Sequence, residues 1–115
     1  MTDTKTNLAK ELYEILKQKD MTVATAESCT GGLIGATLTA IPGMSECYGY
    51  GVITYANEAK MQLLAVKEET LKTHGAVSDY TAREMAAGIL DLSGADVSVA
   101  VTGIAGPGGD RKSVV

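Results

Sequence analysis

The chain contains no tryptophan and no phenylalanine, and its aromatic side chains are five tyrosines in 115 residues. A core built without large flat rings must be filled by Val, Ile, Leu, Met and Ala, the usual packing of helices on a sheet. Cysteine is scarce as well, with only Cys29 and Cys47. Two cysteines do not make a disulfide scaffold, and a reducing, cytoplasmic setting is the simpler inference. The one histidine, His74, sits in Thr73-His74-Gly75, sequence typical of a helix end. The helix dipole favours an imidazole there, which argues against a Ser-His-Asp triad. No run of about 18 apolar residues occurs, and the first seven residues hold no apolar signal core, so neither a membrane span nor export is expected. Ten basic residues against 14 acidic ones give a net charge of −4, and the basic residues are scattered. A nucleic-acid groove normally needs them clustered, so nucleic acid is not an expected partner. Neither G-x-G-x-x-G nor G-x-x-x-x-G-K-[ST] is present, which disfavours the Rossmann and P-loop readings.

What is present reads as a single domain over residues 1–115, with roughly two-thirds of its surface buried on folding. Leu8, Leu12, Ile15 and Leu16 form one stripe of an amphipathic helix over 7–19. Residues 21–26 read as a strand. Residues 33–40 read as a helix stopped by Pro42-Gly43, with Gly35 inside it for close packing on a sheet. Residues 48–55 are β-branched and aromatic, hence a second strand, whose Gly49 and Gly51 suggest a bulge or a close backbone approach. Asn57 is placed to cap a short helix over 58–64, and another comes after it over 68–73 with Gly75 just beyond. Ser78 or Thr81 caps a helix over about 79–92, Thr81 and Glu84 having capping-box spacing, with Met85, Ala86, Ile89 and Leu92 inward. Residues 96–101 are the clearest strand and run into the glycine-rich loop 102–109. Residues 110–115 have no recognisable role. The order α-β-α-β-α-α-α-β favours a sheet with helices on both faces, although three strands are thin for that class.

The organising stretch is Thr25-Ala-Glu-Ser-Cys-Thr-Gly-Gly32, between the first strand and the second helix. A helix start presents unpaired N–H groups, and the two glycines keep side chains away from the backbone, so this turn is a candidate anion site. Ser28 and Thr30 supply hydroxyls. Glu27 reads as a capping or orienting group, and Cys29 as a small packed residue. The loops after the strands, Glu27–Thr30, Tyr55–Lys60 and Thr102–Gly106, are expected to meet at one crevice. Ser45, ahead of the second strand, joins them only if the fold carries it back. Lys60 is the better base: free lysine is neutral in only about one copy in 2,500 at pH 7, but burial and a helix start both lower its pKa.

Four blocks taken together are 25–32, Gly51-Val-Ile-Thr-Tyr-Ala-Asn-Glu-Ala-Lys60, His74-Gly-Ala-Val-Ser78 and Thr102-Gly-Ile-Ala-Gly-Pro107. They closely resemble the CinA C-terminal domain family of nicotinamide-nucleotide amidases. The resemblance implies a three-layer α/β/α sandwich with a mixed, mostly parallel sheet. It implies hydrolysis of the carboxamide of nicotinamide mononucleotide to nicotinate mononucleotide and ammonia, within pyridine nucleotide salvage. It implies no metal, no organic cofactor, and a homodimer or larger homo-oligomer. Carried onto this chain, the catalytic set is Ser45, Lys60, Tyr55 and Ser28, with Ser45 favoured as nucleophile and Ser28 close to the ligand. Substrate contacts fall to Thr30, Gly31 and Gly32, and to Thr102, Gly103 and Gly106. Family domains continue past the Gly-Pro-Gly-Gly loop for about 40–50 residues of strand and helix. The chain is therefore expected to be shortened at its C-terminus, with its activity in question. The alternative reading is a non-catalytic nucleotide-binding module, or an interaction module tied to competence or DNA damage.

Overall fold

The computed structural model describes residues 3–104 and 112–115. Its elements run α1 (Thr4–Lys19), β1 (Val23–Glu27), α2 (Leu33–Thr39), a single tight helical turn (Met44–Glu46) and β2 (Tyr48–Ile53). Then come α3 (Asn57–Leu64), α4 (Glu68–His74), α5 (Asp79–Ser93), β3 (Val97–Ile104) and β4 (Lys112–Val114). The sheet order is β2-β1-β3-β4, with β1 parallel to both neighbours and β4 antiparallel to β3. The sheet is therefore mixed and mostly parallel, in an α/β fold.

Alternation along β1 builds the two halves of the core. Val23 packs with Ala9, Leu16, Leu38, Ile41 and Met44 beneath α1 and α2. Ala24 and Ala26 point the other way and pack with Leu64, Val66, Met85 and Ile89 of the α3–α5 layer. All five residues of β1 are buried, including Thr25 and Glu27. The expected close packing at Gly35 is present: a Cβ there would sit 3.0 Å from the Tyr48 hydroxyl and 3.5 Å from Glu27 Oε2. A second close approach falls at Gly88, where a Cβ would collide with the Leu64 carbonyl oxygen, so α5 lies directly against α3.

Several local expectations are corrected. Asn57 begins α3 but does not cap it; the cap position is Ala56, which has no side-chain bond to give. Ser78, not Thr81, caps α5, accepting from Thr81 N–H at 3.1 Å. Glu84 is not part of a capping box: it reaches across to α4, accepting from Lys67 N–H and Thr70 Oγ1. Leu92, expected inside, is 46% exposed, since only Met85 and Ile89 of that stripe face the sheet fully. The unassigned tail supplies the fourth strand, pairing Thr102 with Val114 and Ile104 with Lys112.

Candidate active site

Because β1, β2 and β3 run in the same direction, the loops at their C-terminal ends emerge on one side of the sheet, where open α/β sheets form their crevices. Ser28, Tyr55, Asn57, Lys60, Thr102 and Gly103 line a cleft of about 350 Å³ there, with Ala76 and Val77 from the α4–α5 loop on its wall.

Lys60 belongs to the first turns of α3, and its side chain passes inward rather than to solvent. The residue is 1% exposed. Its Nζ donates to the Thr54 carbonyl at 2.9 Å, the Tyr55 carbonyl at 3.1 Å and Ser28 Oγ at 3.2 Å. The ion pairs among the described residues are Lys72–Glu68 and Arg83–Asp79, both on exposed helix surfaces, so Lys60 has no carboxylate partner there. Burial pushes its pKa below the ordinary value of 10.5, against a smaller opposing effect of nearby Cys29. Losing one proton leaves an amine with two N–H groups and one lone pair. The two carbonyls accommodate the two N–H groups, and the lone pair is then directed at the Ser28 hydroxyl. This arrangement can accept a proton from serine.

Ser28 is fixed by its backbone: its N–H donates to the Val101 carbonyl at 3.0 Å, and its carbonyl accepts from Gly31 N–H at 3.1 Å. Thr102 is 1% exposed and donates to the Ala76 carbonyl at 2.7 Å, tying β3 to the α4–α5 loop. Tyr55 is 75% exposed and lines the cleft, and its carbonyl accepts from Lys60 Nζ. Gly103 lines the cleft. Gly106 lies outside the described residues.

Ser45 is not brought to this point. It is an exposed residue in the turn ahead of β2, whereas Thr54, Tyr55 and Lys60 come after that strand. Six residues of strand separate the two ends by about 20 Å. Within this chain the geometry puts Ser28, not Ser45, beside the amine.

The anion site expected at Thr30, Gly31 and Gly32 is already occupied from within. Glu27 accepts from Ile34 N–H and Gly35 N–H, both at 2.9 Å, and from Thr30 Oγ1 at 2.6 Å. Gly31 (φ +61°) and Gly32 (φ +102°) are needed for the left-handed turn that makes this possible. No group of three metal-ligating side chains occurs among the described residues. Sequence reasoning had no means of finding Thr54, which acts through a carbonyl; Ala76 and Val77 lay within a block of the resemblance that was given no site role. No described helix is long and apolar enough to cross a membrane.

The model of the CinA C-terminal domain family matches residues 5–114. A CinA-like protein of Chloroherpeton thalassium is 55% identical over 105 residues, which are 91% of this chain and 25% of that protein. A putative competence-damage inducible protein of Caldicellulosiruptor bescii is 58% identical over 106 residues, 92% of this chain and 26% of that one. The crystal structure of a competence/damage inducible protein from Agrobacterium tumefaciens superposes with a TM-score of 0.91 at 49% identity, covering 95% of this chain and 66% of that one. A CinA superfamily protein from Escherichia coli gives 0.89 at 40% identity, covering 96% and 66%. The chain thus spans about a quarter of the length of these curated relatives and about two-thirds of the solved chains. On the family match, on these identities and on the superposition, this chain belongs to the CinA C-terminal domain family.

Proposed function

We propose that the chain is a serine amidase that hydrolyses the carboxamide of nicotinamide mononucleotide. The observation that carries this reading is the buried Lys60 amine, with two main-chain carbonyls for its protons and the Ser28 hydroxyl for its lone pair. Ser28 Oγ attacks the carboxamide carbon while its proton passes to Lys60 Nζ. The C–O bond forms as the C=O electron pair moves onto oxygen. The resulting ammonium returns a proton to the amide nitrogen, the C–N bond breaks, and ammonia leaves. Water then attacks the ester, giving its proton to Lys60, and expulsion of Ser28 Oγ with that proton releases nicotinate mononucleotide.

N–H groups of the Ser28 turn are suited to bind the developing oxyanion, as happens just after nucleophiles at strand–helix turns. The phosphate is assigned to the Gly103 side of the cleft, because Glu27 already fills the start of α2. On the same reading the chain works as a homodimer or larger homo-oligomer, without metal or organic cofactor, which light scattering and assay after chelation would check.

Ammonia release from nicotinamide mononucleotide tests the activity. Wild type is expected to release it in step with nicotinate mononucleotide, and Lys60→Met and Ser28→Ala to lose it. A wild type that binds the nucleotide without turning it over would leave a binding module instead.

A further inference from the structure

Glu27 is 2% exposed, and a carboxylate so buried is costly unless hydrogen-bond donors surround it. It has three donors on two oxygens: Thr30 Oγ1 and Ile34 N–H on Oε1, and Gly35 N–H on Oε2. The helix it caps has no cap of its own, since Gly32 at the cap position carries no side chain. Its main chain reaches the other partner of the site as well. The Glu27 carbonyl accepts from Thr54 N–H at 2.7 Å, and the Thr54 carbonyl accepts from Lys60 Nζ. The residue next to the serine is therefore bonded to the turn that carries Ser28 and to Thr54, the residue whose carbonyl holds the lysine. Its side chain points into the α2 layer, while that of Ser28 meets Lys60 of α3 in the opposite layer.

We infer that Glu27 is a positioning residue: its carboxylate pins the turn 28–32 through Thr30 and the start of α2, and so holds Ser28 Oγ at the Lys60 amine. Glu27 touches no reacting atom. The inference rests on the amidase reading for its kinetic consequence, but not for its geometric one, because serine reactivity can be measured without the nucleotide. A carboxamide cannot substitute for this carboxylate. Glutamine has one acceptor oxygen, and its NH₂ group would face an N–H or O–H donor.

The test uses the full chain with Glu27→Gln, Thr30→Val and Thr30→Ser. Two quantities are read for each: covalent labelling of Ser28 by a fluorophosphonate, mapped by mass spectrometry, and kcat and KM for nicotinamide mononucleotide. Thr30→Val removes one of the three bonds and leaves both helix-cap bonds, so it stays informative should Glu27→Gln not fold. The expected result is a tenfold or greater fall in Ser28 labelling and in kcat for Glu27→Gln, with KM changed less than threefold. Thr30→Val falls threefold or more on the same measures, and Thr30→Ser, which keeps the hydroxyl, stays within twofold of wild type. Folded Glu27→Gln that labels within twofold of wild type overturns the inference; so does Thr30→Val indistinguishable from Thr30→Ser. If wild type labels at Ser28 but releases no ammonia, the amidase reading fails while the labelling series still decides the role of Glu27.

Discussion

The Thr102 hydroxyl donates to the Ala76 carbonyl across 2.7 Å, joining the end of β3 to the loop between α4 and α5. Both residues line the cleft, so one partly buried hydrogen bond ties two of its walls together. Thr102→Val keeps the shape of the side chain and removes the donor. Leaving a main-chain carbonyl unpaired costs about 1–3 kcal/mol. The variant should melt at a lower temperature and show a raised KM, with kcat affected less, as measured by calorimetry and by ammonia release.

Lys60→Met is expected to lower kcat/KM by about 100-fold to 10,000-fold, the usual contribution of a positioned base. Its stability relative to wild type should also depend on pH, because Lys60 titrates and methionine does not. The folded-state pKa of Lys60 lies below its unfolded value of 10.5. Between those two values the unfolded chain binds more protons, so wild-type stability rises with pH through that window and levels off above 10.5. The stability of Lys60→Met relative to wild type, measured by urea unfolding, should therefore fall as the pH approaches 10.5.

The same depressed pKa sets the pH dependence of turnover. Only the neutral amine accepts the serine proton, so kcat/KM should fall on the acid side as Lys60 protonates. That limb should have its midpoint below 10.5, the value for an ordinary lysine. A midpoint at or above it would mean that another group supplies the base.

Gly51→Ala should destabilise the protein by about 1–3 kcal/mol, the range for overpacking. A Cβ there would collide with the Tyr48 hydroxyl and lie 2.8 Å from Thr25 Oγ1, two atoms that are themselves hydrogen-bonded at 2.6 Å. Tyr48→Phe removes the obstructing oxygen. In a double-mutant cycle by chemical denaturation, the two changes together should cost less than the sum of each alone.

Thr54→Val should be neutral or mildly stabilising. Thr54 is fully buried, and its Oγ1 has no hydrogen-bond partner among the described residues. An isosteric methyl removes an unpaired polar atom, while the carbonyl that holds Lys60 is kept. Unchanged activity with an equal or higher melting temperature is the expected outcome.

Much of the fold was legible because helix and strand periods were clean. The stripe of Leu8, Leu12, Ile15 and Leu16 and the run 96–101 marked elements that the structure contains. β4 was invisible because a three-residue antiparallel strand carries too little pattern; its pairing depends on β3 already being in place. The site was legible as three loops after three strands, a consequence of parallel topology alone. The residues could not disclose how each polar group is used. Glu27 caps a helix seven residues ahead, Glu84 reaches one seventeen residues behind, and Tyr55 offers its carbonyl to Lys60. Those choices depend on which element packs against which, and no spacing rule reaches that far. Where Ser45 falls depends on strand direction, which puts the turn before β2 and the loop after it at opposite ends of that strand.

β1 has neighbours on both edges and helices over both faces. Its amide hydrogens should therefore exchange with solvent only when the entire molecule opens, among the slowest in the chain. Ser28 is tethered directly to that strand, so the proposed nucleophile is anchored in the last part of the protein to come apart. Heat inactivation and global melting should then share one midpoint, with no partly unfolded species that has lost the hydroxyl while keeping its sheet.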